Sequence, residues 1–280
     1  MKILCLHGYG TGPDILRYQL SELMRHADPT WDFHFLSGEV DCQPAPDIAG
    51  RLPGPYRCWT ESWAADTVDA AHAVVDDAID EYGPFDGVLG FSQGAAIVTS
   101  YLLEHGITHP GEPMPFRFAI FCSCTMPFSS DLAYCQSMFG SLSLMQQKLL
   151  RSGQDDEITQ LPEPVRTQAT SLVKIVKTTQ FITGNPPVFF LDRPLSDIPC
   201  ILDPAMCPTR LRIPTLHIRG KADIPGLEET GSLVESFCDP KNRRSITHSG
   251  GHDLPRSEQE VKLILSAMEW MVAQSELAVL

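Results

Sequence analysis

Short apolar runs alternate with stretches of helical periodicity along most of the chain. Apolar residues recur at helical spacing over residues 14–26, 62–82 and 93–105 and in a last helix that carries Leu263, Ile264, Met268 and Trp270. Six apolar runs have the length of buried strands, and they span residues 2–6, 32–36, 86–91, 116–123, 214–219 and 244–247. Because strands that alternate with helices form a parallel sheet covered on both faces, the pattern predicts an α/β fold with a doubly wound, mostly parallel six-stranded sheet.

Capping residues and helix breakers set the predicted ends of these helices. Asp14 and Ser62 precede helical stretches, and their side chains can accept hydrogen bonds from a first helical turn, so each is a predicted N-cap. Gly83 and Pro84 follow the second helix and are predicted to end it. Residues 38–60 are rich in proline, glycine and polar residues, which predicts a long loop.

One stretch, residues 127–212, interrupts the alternation. It lies between the fourth and fifth strands and is far longer than an ordinary crossover. Helical patterns occur near residues 137–151 and 163–178, and a proline-rich run covers residues 186–208. We expect this stretch to be an insertion that covers a functional site as a lid, with a core formed by residues 1–126 and 213–280.

The residues Gly90, Phe91, Ser92, Gln93 and Gly94 match the pattern G-x-S-x-G at a predicted junction of strand and helix. At such a junction the chain turns sharply and leaves a serine hydroxyl above the sheet, while glycine on each side avoids clashes with neighbouring backbone. The helix N-terminus supplies free amides near a developing negative charge. The pattern therefore predicts Ser92 as the nucleophile of an acyl transfer.

A nucleophilic serine needs a base and an acid, and in folds with this elbow they follow the serine in the order acid, then histidine. His252 comes after the last predicted strand and two glycines, so it is the predicted base, with His248 at the end of that strand as the alternative. Asp223 follows the fifth strand and is the predicted acid. Glu228 and Glu229 are alternatives that are expected to lie in the next helix.

Two backbone amides are expected to stabilise the oxyanion of a tetrahedral intermediate. One belongs to Gln93, directly after the nucleophile, and the other to Tyr9, in the loop that follows the first strand. Gly8, Tyr9 and Phe128 are predicted to contact the substrate. His7 is expected to shape its loop through hydrogen bonds to the backbone.

The composition restricts the partners and the compartment. The chain has 280 residues, a formal net charge of −14 and a pI near 5.0, which argue against nucleic acid or an anionic membrane surface as a partner. No stretch reaches the roughly 20 apolar residues of a membrane helix. Nine scattered cysteines predict reduced thiols in a cytoplasmic protein, and their spacing predicts no metal site. The expected chemistry requires no cofactor.

Five segments together resemble the fungal serine hydrolase family, a branch of the α/β-hydrolases. They are LCLHGYG at 4–10, the helix with Arg17 and Gln19, GFSQGA at 90–95, HIRGKAD at 217–223 and GGHDLP at 250–255. The resemblance covers the chain to about residue 125 and again over about 213–275. It implies a catalytic triad at Ser92, Asp223 and His252, and a sheet with strand order 2-1-3-4-5-6.

Several members of that family are encoded in polyketide gene clusters and act as stand-alone thioesterases on acyl chains held by a carrier protein, and others are carboxylesterases. The resemblance implies a hydrolase that cleaves an ester or thioester through an acyl-enzyme, with an acyl carrier protein of a polyketide synthase as a candidate partner. A general carboxylesterase and a catalyst of cyclisation or condensation are the alternatives, because an internal nucleophile can replace water.

The predicted lid, with the residue just before it, carries side chains that suit two different roles. An acyl pocket or a small core of the lid itself would use the same apolar residues, which are Met126, Phe128, Met138, Phe139, Leu142, Leu144, Met145, Phe189 and Phe190. Arg166, Lys174 and Lys177 lie along one lid segment, where they could dock an acidic carrier protein or form a solvated helix face.

Overall fold

A computed structural model of the chain describes residues 1–277. The strands are β1 (Lys2–Leu6), β2 (Asp32–Leu36), β3 (Val40–Asp41), β4 (Arg57–Cys58), β5 (Gly87–Phe91), β6 (Phe118–Cys122), β7 (Thr215–Gly220) and β8 (Arg243–His248). The α-helices are α1 (Pro13–Gln19), α2 (Ser21–His26), α3 (Ala65–Tyr82), α4 (Gln93–Thr108), α5 (Leu132–Gly140), α6 (Leu144–Ser152), α7 (Asp155–Ile158), α8 (Val165–Thr183), α9 (Leu227–Glu235) and α10 (Glu258–Leu277). A short 3₁₀ helix spans Leu195–Asp197.

Six parallel strands form the main sheet in the order β2-β1-β5-β6-β7-β8. These are the six predicted strands, and their order confirms the predicted 2-1-3-4-5-6 arrangement of a doubly wound α/β fold. The short strands β3 and β4 form a separate antiparallel ribbon. The predicted long loop over residues 38–60 therefore contains a ribbon that its proline and glycine content did not indicate.

The two faces of the sheet are covered by different helices. In β1, Ile3 and Cys5 belong to a core shared with α1, α2 and α10, whereas Leu4 and Leu6 belong to a core shared with α3, α4 and α9. This alternation is the period-two pattern of a strand. Because all four side chains are fully buried, β1 reads as a continuous apolar run, as expected for a parallel sheet covered on both sides.

Both predicted N-caps are wrong. Helix α1 begins after Gly12, with a proline at its first position and Asp14 within its first turn. The chain then divides into α1 and α2 at Leu20, although the apolar spacing continues through this point. Helix α3 begins at Ala65, and the Ser62 hydroxyl instead bonds to the Thr67 hydroxyl and accepts from the Ala64 amide. The predicted end of α3, before Gly83 and Pro84, is confirmed.

Residues 127–212 contain helices α5 to α8, which share an apolar core with the start of α3. The first and last parts of this stretch are joined, because the Leu202 amide donates to the Pro127 carbonyl and the Ser129 amide donates to the Cys200 carbonyl, both at 2.9 Å. The helix predicted over 137–151 is two helices, separated by residues 141–143. The second predicted helix extends beyond residue 178 to the end of α8.

A buried glutamine joins α8 to the backbone of Ile201, near the end of residues 127–212. The Gln168 side chain donates to the Ile201 carbonyl and accepts from the Ile201 amide, both at 2.8 Å, and it is fully buried. One side chain thus satisfies two backbone groups that would otherwise be buried without partners. This pair of bonds holds α8 to the segment that contains Ile201.

Buried histidines make the stability of the fold depend on pH, and His72 and His217 are two of them. Burial lowers the pKa of His72 to about 4, and burial aided by two nearby arginines lowers that of His217 to about 3, from an ordinary value of 6.5. Between those values the unfolded chain takes up protons that the folded chain does not, so the free energy of unfolding should fall as the pH falls below about 6.5.

We expect each of these histidines to cost roughly 2 kcal/mol of stability between pH values of about 7.5 and 5. Urea unfolding at the two pH values measures this loss. The substitution His217→Phe should reduce the difference between the two pH values, whereas His109→Phe, at an exposed position, should leave it unchanged. If the free energy of unfolding changed equally with pH in all three proteins, the lowered pKa of His217 would be contradicted.

Candidate active site

The junction of β5 and α4 holds Ser92 in a strained backbone conformation. Its φ of 53° and ψ of −113° lie in a region that residues other than glycine rarely adopt. A Cβ on Gly90 would overlap the Ala95 backbone, and one on Gly94 would overlap the Leu6 carbonyl oxygen. Both glycines are therefore required by close backbone approach, as the G-x-S-x-G pattern predicts.

Ser92, His252 and Asp223 form one hydrogen-bonded chain. The His252 Nε2 lies 3.0 Å from the Ser92 Oγ, and the His252 Nδ1 lies 2.7 Å from the Asp223 Oδ1. The three side chains come from the segments that follow β5, β8 and β7. Sequence reasoning singled out the same three residues, and the structure brings them within hydrogen-bond distance of one another.

The two loops that carry the acid and the base are bonded to each other. The Lys221 amide donates to the His248 carbonyl at 2.8 Å, and the Ala222 amide donates to the Gly250 carbonyl at 3.0 Å. A Cβ on Gly220 would overlap the carbonyl oxygens of this second loop. The absence of a side chain at Gly220 thus lets the histidine loop cross the end of β7.

The alternative base and acids lie elsewhere. His248 is buried at the end of β8, and its Nδ1 accepts from the Gly250 amide at 3.1 Å, which shapes the turn that leads to His252. Glu228 and Glu229 lie in the first turn of α9, as expected. Glu229 forms an ion pair with Lys174 of α8.

A residue that sequence reasoning missed supports the carboxylate. Ser123 directly follows β6, the strand between β5 and β7, and its hydroxyl donates to the Asp223 Oδ2 at 2.6 Å. Ser123 is buried and has a φ of 47°, so its backbone is strained as well. The hydrophobic pattern gives no indication of a role for a serine at the end of an apolar run. Ser123 comes to lie beside Asp223 because β6 and β7 are neighbours in the sheet.

Hydrogen bonds keep this carboxylate ionised. Burial acts to raise the pKa of Asp223, but the hydrogen bond and charge of His252 and the bonds from Ser123 and the Ile224 amide lower it below its ordinary value. The carboxylate accepts from His252 and Ile224 on Oδ1 and from Ser123 on Oδ2. A negative charge with three donors is well suited to hold an imidazole in one orientation.

Two backbone amides near Ser92 donate no hydrogen bond within the described part of the protein. A Cβ on Gly8 would lie 3.3 Å from the Ser92 Cβ, so the loop after β1 passes directly beside the serine. Among residues 1–277, the amides of Tyr9 and Gln93 donate to no protein acceptor. Free backbone amides close to a serine hydroxyl can stabilise an oxyanion.

His7 shapes this loop, as its position in the sequence suggested. The Gly38 amide donates to its Nε2 at 2.9 Å, so Nδ1 carries the proton and donates to the Gly8 carbonyl at 2.8 Å. Burial lowers the pKa of His7 to about 4, which keeps it neutral near pH 7. The Trp59 indole also donates to the His7 carbonyl, at 2.8 Å.

Comparison with known proteins agrees with this geometry. Residues 1–264 match the family described as "Serine hydrolase (FSH1)". The chain belongs to this family. It is 44% identical over 226 residues to the serine hydrolase cnsH of Penicillium expansum, a match that covers 81% of this chain and 93% of that one. It is 36% identical over 279 residues to the esterase alnB of Emericella nidulans, with 98% of both chains covered.

A more distant relative extends the comparison. The hydrolase FUB4 of Fusarium oxysporum f. sp. lycopersici is 30% identical over 269 residues, which cover 93% of this chain and 94% of that one. These matches run through the stretch over 127–212 that interrupts the alternation of strands and helices. The protein is therefore an enzyme of the serine hydrolase class.

The serine of this hydrolase lies at two adjoining cavities. The larger cavity, of about 290 Å³, is lined by side chains of α8 and by Trp63, Phe128, Phe189 and Phe190. The smaller cavity, of about 70 Å³, is lined by Gly8, by residues 45–48 and by His252. Of the predicted substrate contacts, Gly8 lines the smaller cavity, Phe128 the larger one, and Tyr9 both.

The nine apolar residues at 126–190 serve the two expected roles in overlapping sets. Phe128, Phe189 and Phe190 line the larger cavity, and Phe128 and Phe190 also belong to the buried core of this stretch. Four others belong to that core alone, and they are Met126, Met138, Phe139 and Leu142. Leu144 and Met145 serve neither role, because both are exposed at the start of α6.

The three cations of α8 are paired within the chain. Arg166 forms an ion pair with Glu163, Lys174 with Glu229, and Lys177 with Asp155. All of these side chains are at least two-fifths exposed, so each pair contributes little to stability. The pairing favours a solvated helix face over a free basic patch.

Two further features bear on the expected chemistry. Within residues 1–277, no three His, Cys, Asp or Glu side chains converge in a way that could hold a metal ion. In the same part of the chain, each helix is too short or too polar to cross a membrane.

Loss of the Ser123 hydroxyl should impair the hydrolase without unfolding it. A hydrogen bond to a charged group is worth about 1.5–3 kcal/mol, so Ser123→Ala and Ser123→Gly should lower kcat/KM about tenfold or more. A carboxylate with one donor fewer attracts the His252 imidazolium more strongly, so the acid limb of the pH profile should move to higher pH. Ester hydrolysis measured across pH tests both effects.

The matched control is Ser129→Ala, which removes another buried serine that donates to a carboxylate, that of Glu104, at 2.7 Å. This variant should lose stability and keep the pH profile of the unmodified protein. An unchanged profile for both Ser123 variants would show that Ser123 has only a structural role.

Proposed function

We propose that this protein hydrolyses an ester or thioester through an acyl-enzyme on Ser92. The observation that carries the proposal is the continuous chain of hydrogen bonds from Asp223 through His252 to Ser92, at a strained strand–helix junction. Nucleophile, base and orienting carboxylate in this arrangement are the elements of acyl transfer.

In the proposed cycle, His252 accepts the proton of Ser92 as the Ser92 Oγ attacks the carbonyl carbon. The amides of Tyr9 and Gln93 stabilise the oxyanion, and Asp223 stabilises the imidazolium. The tetrahedral intermediate collapses as His252 returns the proton to the leaving thiol or alcohol. Water then attacks the acyl-enzyme with His252 as base, which releases the acid and restores Ser92.

An acyl thioester on a carrier protein is the substrate that we favour, by resemblance to the thioesterases of this family. The larger cavity offers both apolar and polar contacts to an acyl chain. Six lining residues have polar side-chain atoms that make no hydrogen bond to any residue from 1 to 277, and they are Tyr9, Gln43, Glu61, Trp63, Thr125 and Asn185. Free polar groups along an aromatic wall suit an acyl chain that carries hydroxyl or keto oxygens, as polyketides do, better than a plain hydrocarbon.

We also propose that residues 127–212 act as the lid of this site. Two contacts support this role. The Trp63 ring stacks on Phe128 with 4.5 Å between ring centroids, and the Arg193 guanidinium donates to the Ser62 carbonyl at 2.7 Å. Both contacts join the stretch to the segment before α3 that borders the larger cavity. The paired cations of α8 are not part of the proposed carrier contact.

A general carboxylesterase is the second candidate. The relative alnB, which matches nearly the whole chain, is named an esterase. The same site would serve both substrates, because esters and thioesters are attacked by the same nucleophile. A cyclase is the third candidate, since an internal hydroxyl or carbanion of the acyl chain can displace Ser92 in place of water.

Reaction with a fluorophosphonate probe tests the nucleophile. We expect one covalent adduct per chain and complete loss of labelling in Ser92→Ala. The control is Ser100→Ala, which removes a buried serine of α4 that bonds to the Phe128 carbonyl and should keep the label. Labelling that survives in Ser92→Ala would contradict the assignment of Ser92.

Mass spectrometry of the products separates the three candidates. The protein is incubated with one acyl group presented as a carrier-protein thioester and as an ethyl ester. Faster release of free acid from the carrier supports the thioesterase, and faster release from the ester supports the carboxylesterase. A product lighter than the acid by one water would identify a cyclase.

A further inference from the structure

Ser92 lies where the larger and the smaller cavity meet. Three residues line both cavities: Ser92, Tyr9 and Ile182. The larger cavity has a volume of about 290 Å³, near the lower end of the range for ligand pockets. The smaller one, of about 70 Å³, has room for roughly two water molecules at the volume that each occupies in the liquid. A substrate whose carbonyl reaches Ser92 therefore extends one part into each cavity.

The two cavities differ in which part of the proposed machinery they contact. His252 lines the smaller cavity, together with Gly8 and Ile224. Gln93 lines the larger cavity, and His252 does not. The imidazole is thus reached from one side of Ser92 and the helix N-terminus from the other.

The chemistry of acyl transfer decides which part of the substrate lies on which side. When the tetrahedral intermediate collapses, the bond between the carbonyl carbon and the leaving atom breaks, and the leaving sulfur or oxygen takes the proton from the His252 Nε2. The leaving atom must therefore lie within hydrogen-bond reach of that nitrogen. This requirement places the leaving group on the side of the smaller cavity.

We infer that the larger cavity holds the acyl group and the smaller cavity holds the part of the thiol or alcohol that adjoins the carbonyl group. The substrate class is then an ester or thioester of a bulky acyl group joined to a narrow, unbranched leaving group. This inference rests on the proposed acyl-enzyme at Ser92 and adds the direction in which the substrate lies. It makes Thr179 of α8 a determinant of acyl size and Ala45 a determinant of the leaving group, because each lines only one cavity.

Two tryptophan substitutions test this direction. Both Thr179 and Ala45 are half-buried, so a larger side chain at either position would extend into its cavity. The substrates are four thioesters that combine an acetyl or a cyclohexanecarbonyl group with ethanethiol or tert-butanethiol, and thiol release is followed by a disulfide reagent. Rates are divided by the concentration of sites that react with a fluorophosphonate, so misfolded protein does not contribute.

We expect Thr179→Trp to lower the rate ratio of cyclohexanecarbonyl to acetyl thioesters at least tenfold, because steric fit in a pocket is worth about 10–200-fold. The rate ratio of the two thiols should stay within about twofold of its value in the unmodified protein. Ala45→Trp should lower the rate with tert-butyl thioesters relative to ethyl thioesters. The rate ratio of the two acyl groups should not change. Leu144→Trp, at an exposed position of α6 outside both cavities, is the control and should change neither ratio.

The reverse pattern, in which Thr179→Trp changes the thiol ratio and Ala45→Trp the acyl ratio, would overturn the inference. So would two variants that react with the probe but change neither ratio. Failure of the unmodified protein to react with the probe at Ser92 would instead contradict the proposed function. The two failures are therefore distinguishable.

Discussion

Four parallel strands that end at one edge of the sheet are the constraint on which this site depends. Adjacent strands lie about 4.8 Å apart, so the residues just beyond β5, β6, β7 and β8 meet without long loops. In that order the strands deliver Ser92, Ser123, Asp223 and His252. The backbone at both serines is strained, and the packed sheet beneath them holds that strain where the hydrogen bonds need it.

Burial and charge are balanced around this edge. The negative charge of Asp223 is satisfied by three donors, while the buried His7 stays neutral and uses both ring nitrogens to shape its loop. The side chain of Gln93 bonds to the Trp59 amide and the Thr60 carbonyl, which leaves its own amide free to act on an oxyanion. The side chains of His7 and Gln93 are thus satisfied within the protein, while the amides of Tyr9 and Gln93, which are proposed to hold the oxyanion, have no protein acceptor.

Much of this arrangement follows from the sequence, because strand order and chain order together determine which loops meet. The strands were predictable from their apolar runs and the three hydrogen-bonded residues from the serine motif and chain order, whereas the strand order was implied by the resemblance to the fungal serine hydrolase family. The break at Leu20 was not, since apolar spacing continues across it. Ser123 and the ion pairs of Lys174 and Lys177 were missed because their partners lie far away in the sequence, and local periodicity carries no information about such contacts.

The most direct test of the account is to locate the acyl group during turnover. The protein is mixed with excess acyl thioester, quenched in acid within the first turnover, digested and mapped by mass spectrometry. The account predicts an added acyl mass on the peptide that contains Ser92, formed and lost at rates consistent with turnover. An acyl group on any other residue, such as the buried Cys124, with Ser92 unmodified, would contradict it.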